Sequence, residues 1–414
     1  MSGMNFLEKL LDGVAVEWKA VSEIFHLKNG YTPSTLKKEF WEGGSVPWFR
    51  MDDIRENGQI LNDSLQKISE SAVKGGKLFP ANSIIIATSA TIGEHALITL
   101  PYLANQRFTN LSLKDNYVEI FDIKFIFYYC FLLADWCRKN TTMSSFASVD
   151  MNGFKKFLIP IPCPDNPDRS LAIQAEIVRI LDTFTALTAE LTAELSDRKK
   201  QYNYYRDRLL TFEKGEVEWK TLGNVADIFD SLHQTPRYSE IGLSMIRVTD
   251  IKGGLLNLDE TLKVNHEVFE TFTKKYLPKK FDLVMSRVGS YGNVGIVPSD
   301  NSVCMGQNTV VIHPWINNKY LFHFLLSKTA QSFIERNVGG GSQKTLSLKS
   351  IREIPIPLVS EEEQERIATI LDKFDTLTHS ISEGLPREIA LRQKQYEYYR
   401  DLLLTFPKPK EIEA

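Results

Sequence analysis

The stretch nearest to a nucleotide-handling motif is Gly339-Gly-Gly-Ser-Gln-Lys-Thr345, where glycines could wrap a phosphate ahead of Lys and Thr. Gln343 stands where that motif needs glycine before the lysine, so an ATP site is not expected. An amino-group methyltransferase would carry Asn-Pro-Pro-Tyr or Asp-Pro-Pro-Tyr, and a dinucleotide site would carry G-x-G-x-x-G after a strand; neither is present. A nuclease reading could borrow Pro167-Asp168 and Glu218-Trp-Lys220, but they lie far apart. Glu17-Trp-Lys19 repeats the second part with no Pro-Asp before it, and both Glu-Trp-Lys segments read better as strand starts. The seven histidines are scattered, and Cys130, Cys137, Cys163 and Cys304 form no C-x-x-C pair. Buried free thiols in a reducing cytosol fit them better than a metal site. The chain is expected to be non-catalytic, with no cofactor or metal of its own.

What remains is binding chemistry. Gly/Ser turns that carry Arg, Lys, Gln and Asn suit contacts to phosphates and to base edges. In the first half the candidates are Arg50, Thr88, Ser89, Thr91, Gln106, Arg107, Lys155 and Lys156. In the second they are Arg247, Arg287, Ser290, Tyr291, Gln307, Asn308, Gln343 and Lys344. Arg50 pairs with Arg247 in the repeat, the 88–93 turn with 287–292, and Gln106 with Gln307. Asp53 and Asp250 are expected to brace the fold, because a carboxylate facing phosphate would repel it.

Two sets of loops need two bodies to carry them, and the chain is a tandem repeat. Val16-Glu-Trp-Lys19 recurs as Val217-Glu-Trp-Lys220, and Ile159-Pro-Ile-Pro162 as Ile354-Pro-Ile-Pro357. Val46-Pro-Trp-Phe-Arg-Met-Asp-Asp-Ile54 resembles Leu243-Ser-Met-Ile-Arg-Val-Thr-Asp-Ile251. Gln201-Tyr-Asn-Tyr-Tyr-Arg-Asp207 recurs as Gln395-Tyr-Glu-Tyr-Tyr-Arg-Asp401, and Leu-Leu-Thr-Phe follows one residue later each time. The globular segments, about residues 13–166 and 214–357, mix β-rich runs (Ser83–Thr88, Asp282–Ser286) with helical ones (Ile123–Arg138, Asn318–Arg336). Each reads as an α/β unit (mixed α+β), and the two should be related by an approximate two-fold axis.

The long helical segments carry heptad seams. In the first, Ile173, Ile177, Ile180, Phe184, Leu187 and Leu191 alternate steps of four and three. A stutter follows, because Thr188-Ala-Glu-Leu191 is repeated at once as Thr192-Ala-Glu-Leu195. The seam resumes through Arg198, Tyr202, Tyr205, Leu209 and Phe212. The second seam runs Ile367, Ile370, Phe374, Leu377 and Ile381 and resumes at Ile389, with a break expected at Gly384-Leu-Pro386. These stripes run too far to pack only on their own domains, so the two helices should pair antiparallel as a coiled coil. A rigid spacer between two readers demands a bipartite target with an unspecified gap. Exposed Tyr204, Arg206, Tyr398 and Arg400 near the repeated segments should help bind two copies of one partner. The net charge of −3 argues against a small free-standing DNA binder. Local basic groups or partner subunits would then supply the phosphate contacts. Met1–Asp12 reads as a short amphipathic helix rather than a signal peptide, and no apolar run reaches membrane-span length, so a cytoplasmic location without membrane contact is expected.

Two globular segments, each ending in an Ile-Pro-Ile-Pro strand and a long helix, resemble the specificity (S) subunit of type I restriction-modification systems. The Thr-Ala-Glu-Leu tandem and the two Gln-Tyr-x-Tyr-Tyr-Arg-Asp segments resemble the IC subfamily in particular. The resemblance in organisation covers nearly the whole chain. It implies target recognition domains at 1–166 and 214–357, a central helix at 167–213, and a distal helix with a tail at 358–414. It further implies that each domain reads half of a split double-stranded DNA site, while the helices dock two modification (methyltransferase) subunits. S-adenosylmethionine, ATP and Mg would then sit on partner subunits, the ATP on restriction subunits that join the complex.

Overall fold

The computed structural model describes residues 6–142, 147–213, 215–252, 254–341, 344–380 and 383–408. The chain divides into two compact units, residues 1–187 with 393–414 (unit 1) and residues 188–392 (unit 2).

In unit 1, helix α1 (Phe6–Leu11) buries Leu7 and Leu11. Strand β1 (Val16–Ala20) then pairs antiparallel with a later strand, Leu158–Pro162. That partner contains Pro160 and Pro162, which a two-stranded ribbon tolerates because each strand has a free edge. The main sheet is built from β2 (Phe25–Asn29), β4 (Ser83–Ala87), β5 (His95–Ile98) and β6 (Phe108–Leu113), in the order β2–β6–β4–β5 with Ile60–Leu61 at the edge. Beside it, β3 (Val46–Phe49) leads into helix α2 (Met51–Asn57). The central β4 is buried along its whole length. Its period of two sends Ile84 and Ile86 into the helix-side core and Ile85 and Ala87 into the core on the other face. Helix α3 (Ile123–Lys139) starts where Asp122 accepts the Lys124 N–H at 2.8 Å, and its aromatic face covers the sheet. Helix α4 (Met151–Lys156) and β7 (Leu158–Pro162) close the unit.

Helix α5 (Pro167–Leu209) follows, 43 residues or about 64 Å long. Pro167 suits its first turn, where the missing N–H has no partner to lose.

Unit 2 repeats the plan. Strand β8 (Glu218–Thr221) pairs with the late strand Pro355–Leu358. The sheet contains β9 (Ala226–Asp230), β11 (Leu283–Ser286), β12 (Val294–Ile296) and β13 (Thr309–Pro314), ordered β9–β13–β11–β12, with β10 (Leu243–Ile246) alongside. The helical run 318–336 is two helices, α6 (Asn318–Leu325) and α7 (Lys328–Arg336), where the sequence pattern suggests one. Ser327 is the cause: its backbone is extended and its Oγ accepts the Ala330 N–H at 3.4 Å, so it caps a new helix. Helix α8 (Leu348–Arg352) and β14 (Pro355–Leu358) complete the body.

The last helical segment comes as two helices, α9 (Glu361–His379) and α10 (Gly384–Leu404), with Gly384 and Pro386 in the first turn of the second rather than between the two. Gly384 has φ +75°, and a Cβ there would fall 2.4 Å from the Thr376 carbonyl oxygen. Ile381, a seam position, lies outside the described residues.

The antiparallel pairing of the helices is visible within each unit. In unit 1, Phe184 of α5 stacks on Tyr399 of α10 with centroids 5.4 Å apart. In unit 2, Phe374 of α9 stacks on Tyr205 of α5 at 5.5 Å. Each body therefore receives the tail of the other repeat. Leu403, Leu404 and Phe406 join the unit 1 core, while Leu210 joins the unit 2 core with Leu209 and Phe212 against it. Among the described residues, no helix is long and apolar enough to cross a membrane.

Candidate nucleic-acid interface

Three polar segments, distant in sequence, meet at one end of each sheet. In unit 1 these are the 88–93 turn leaving β4, the turn before β6, and the hairpin of Thr141–Thr142 with Ser148–Val149. Thr88 N–H donates to the Arg107 carbonyl at 2.9 Å, and Val149 N–H donates to the Thr88 carbonyl at 2.9 Å. Unit 2 reproduces the pattern. Arg287 N–H donates to the Asn308 carbonyl at 2.8 Å, Leu346 N–H to the Arg287 carbonyl at 2.8 Å, and Gly289 N–H to the Lys344 carbonyl at 3.3 Å. Both turns end in a glycine with positive φ, Gly93 and Gly292, which reverses the chain into the next strand.

Arg50 and Arg247 stand beside the same clusters, because β3 and β10 end there. Asn105 N–H donates to the Phe49 carbonyl at 3.0 Å and Gly306 N–H to the Ile246 carbonyl at 2.8 Å. The two aspartates brace these corners. Buried Asp53 accepts the N–H groups of Arg50 at 2.7 Å and Leu65 at 2.6 Å. Asp250 accepts the Arg247 N–H at 2.9 Å and clamps its guanidinium at 2.9 and 3.1 Å. The Arg50 guanidinium, by contrast, is held loosely, 3.5 Å from Asp52.

The other candidates divide by exposure. Gln106, Arg107, Ser290 and Lys344 are exposed. Thr88, Ser89, Thr91, Gln307 and Asn308 are half-buried within the cluster, and half-buried Tyr291 leans on the unit 2 core. Arg287 is only 12% exposed, held by Asp230 at 2.6 Å and the Leu346 carbonyl at 3.1 Å, so its charge ties the turn to β9 and the hairpin. Lys155 and Lys156 are exposed in the last turn of α4, which leads into β7 and away from the loops. Gln343 lies outside the described residues. The phosphate-loop-like segment continues into a strand at Thr345–Leu346, with no helix start at that point to receive a phosphate.

Some residues at the cluster escaped the sequence reading. Arg138, in the last turn of α3, lies against the 88–93 turn: a Cβ on Gly93 would fall 2.6 Å from Arg138 Nη1. Its side chain is half exposed and pairs with Asp135 at 3.2 Å. In the same turn Thr91 Oγ1 is buried with no hydrogen-bond partner among the described residues. Thr32 hydrogen-bonds Gln106, and Thr235 is bonded by Gln307 at 3.4 Å. A signal for the two threonines existed, since each precedes a proline and lies at a similar distance before its glutamine. Arg138 had none, because a helix in one register and a turn in another bring it to Gly93.

On the helices, Tyr204 and Tyr398 are 59% and 64% exposed. Arg206 and Arg400 turn inward instead. Arg206 lies over the Tyr202 ring at 5.3 Å, Arg400 over Phe131 at 4.8 Å, and each pairs with the following aspartate. The tyrosines are thus available to a partner, while Arg400 joins its helix to the body and Arg206 folds back on its own helix.

Two similar mixed α+β bodies with matched polar loop clusters define a duplicated recognition protein. The family described as "Type I restriction modification DNA specificity domain" matches residues 14–198 and again 215–391. The chain belongs to this family. It is 52% identical over 398 residues to the type I restriction enzyme EcoprrI specificity subunit of Escherichia coli, covering 92% of this chain and 93% of that one. It is 36% identical to the EcoR124I/EcoR124II specificity subunit of Escherichia coli, over the full length of both. The S subunit of a type I restriction-modification system from M. genitalium shares the fold, with a TM-score of 0.53 at 16% identity over 98% of this chain and all of that one. A chain from a structural study of type I R-M complex assembly and conformational transition does so with a TM-score of 0.62 at 15% identity, over 94% of this chain and 97% of that one.

Proposed function

We propose that this chain is the DNA-specificity subunit of a type I restriction-modification complex. Each unit reads one half of an asymmetric, bipartite double-stranded site with an unspecified gap. The helix surfaces around Tyr204 and Tyr398 dock two modification subunits, which bring S-adenosylmethionine and methylate adenine. Restriction subunits with ATP and Mg join that core, and the assembly works in the cytoplasm. The observation that carries this reading is the loop cluster built twice, with the same backbone bonds around Thr88 and Arg287. The net charge of −3 agrees with a reader that shares its phosphate contacts with partners.

The test is to express the chain with its modification subunits and map methylated adenines by sequencing. Two short specified segments around a fixed gap are expected. Replacing residues 13–157 with the equivalent segment of a relative should change one half of the motif and leave the other. A single contiguous motif, or a swap that alters both halves, would overturn the reading.

A further inference from the structure

We propose that the Thr32–Gln106 and Thr235–Gln307 pairs are a common latch on the DNA backbone, present in both units and indifferent to sequence. The proposal rests on the DNA-reading function above and assigns a separate task to these four residues.

The two clusters differ at most of their turn positions. Thr88 is replaced by Arg287, Thr91 by Ser290, Ile92 by Tyr291 and Arg107 by Asn308. Units that read different bases are free to differ there. The same two residue types pair in both, with Thr32 donating to the Gln106 amide oxygen and the Gln307 amide donating to Thr235. Thr32 bonds Gln106 across 74 residues, and Gln307 bonds Thr235 across 72. In each case a proline follows the threonine and restricts it to extended backbone.

A brace is not needed at this place. Backbone bonds already hold the same loops to the same turns: Gly30 N–H to the Phe108 carbonyl at 2.9 Å, Tyr31 N–H to Ala104 at 2.8 Å, and Ser231 N–H to Thr309 at 3.2 Å. A solvent-exposed side-chain bond adds little stability beside them. Gln106 and Thr235 are exposed, and their partners are half-buried. Whichever amide atom meets the threonine, at least one amide N–H of the glutamine stays free. A phosphate oxygen only accepts hydrogen bonds, so a free donor held at a fixed angle suits it in any sequence.

The experiment uses the full chain assembled with its modification subunits. Binding is measured to the recognition duplex and to an unrelated duplex over a range of salt. Gln106→Ala and Gln307→Ala should each weaken both duplexes by the same factor, roughly three- to tenfold. The double variant should show about the product of the two factors. The methylated motif, the melting temperature and the slope of affinity against salt should stay as in the wild type, because a neutral amide releases no counterion. Thr32→Val should weaken binding as Gln106→Ala does, and Thr32→Ser should keep it. A changed base preference at any motif position would make the glutamines readers and overturn the latch. Unchanged affinity in both single variants would overturn it too, leaving only an internal contact. Failure of the wild-type complex to prefer its duplex would remove the DNA-reading function itself, and is seen before any variant is made.

Discussion

The two units agree closely where body meets helix and diverge where loops face out. At the joint of unit 1, Asp182 on α5 accepts Lys124 Nζ at 2.7 Å and the Tyr128 hydroxyl at 2.6 Å. At the joint of unit 2, Asp372 on α9 meets Lys319 and His323 Nε2, the latter at 2.8 Å. Burial alone would raise the Asp372 carboxyl, but hydrogen bonds from His323 and Lys319 outweigh it and hold it below the usual carboxylate range. Gln174 accepts the Asp122 N–H at 2.9 Å, and Gln364 accepts the Asn317 N–H at 3.1 Å. At the loops, the turn against Gly93 is lined by Arg138, while Gln331 donates to the Gly292 carbonyl at 3.0 Å. The difference separates two demands. A joint must set the angle between body and helix in both units. A loop that reads its own half-site has no reason to match its counterpart.

The largest effect should come from the exchanged tails, which test whether the joints are equivalent. Leu404 and Leu210 are fully buried, each in the body that its own repeat did not build. Leu404→Ala should destabilise unit 1 and Leu210→Ala unit 2, each by about 2–5 kcal/mol. Hydrogen exchange read peptide by peptide checks this. Loss of protection in the same unit for both variants would break the comparison.

A somewhat smaller effect is set by pH and should appear in unit 1 alone. His95 is buried under Phe127 and Phe131, where its counterpart in unit 2 is Val294. Its Nδ1 donates to the Gly93 carbonyl at 3.1 Å. Burial pushes its pKa down to about 4, against the hydrogen bond to Gly93 that favours the proton. Between the ordinary histidine range and pH 4 the unfolded chain takes a proton that the native unit refuses. Stability is therefore full above the unfolded value and falls with pH, by about 3 kcal/mol near pH 4. Denaturant unfolding followed by exchange at pH 7 and pH 4.5 should show unit 1 losing more than unit 2. His95→Val should flatten that extra slope, and an unchanged slope would show that the burial of His95 is not its source.

The elements were legible in the sequence because their signals are local or periodic. The seam predicted α5, Gly384 and Pro386 marked the break before α10, and the repeated Glu-Trp-Lys and Ile-Pro-Ile-Pro segments became paired strands. The split at Ser327 was missed because one capping hydroxyl outweighs an otherwise continuous helical pattern. At the loops, residue type suggested Arg287 as a free cation, while Asp230, 57 residues earlier, holds it inward. Arg138 was missed for the converse reason: nothing in its helix points to the turn it lies against. Side-chain pairing across a sheet depends on register, and register is not written in composition.

The smallest change concerns the spacer shared by both units. Thr188–Leu191 and Thr192–Leu195 lie inside α5 with no break, and Leu187, Leu191 and Leu195 remain half-buried along the seam. A third Thr-Ala-Glu-Leu would lengthen the helix by about 6 Å and rotate the residues beyond it by roughly 40°, since four residues exceed one turn. One base-pair step rises about 3.4 Å and turns by roughly 35°. The rotation is of the scale of a single step, and the resemblance to the IC subfamily implies a change of one base pair. Under the proposed function, the extra repeat should lengthen the unspecified gap by one base pair and leave both half-site sequences unchanged. Deleting one copy should shorten the gap or abolish binding, because the opposing helices keep their length. Sequencing methylated sites from cells carrying one, two or three copies reads the result directly. A constant gap across that series would mean that the tandem only packs, and that the spacing is set by the joints at Asp182 and Asp372 instead.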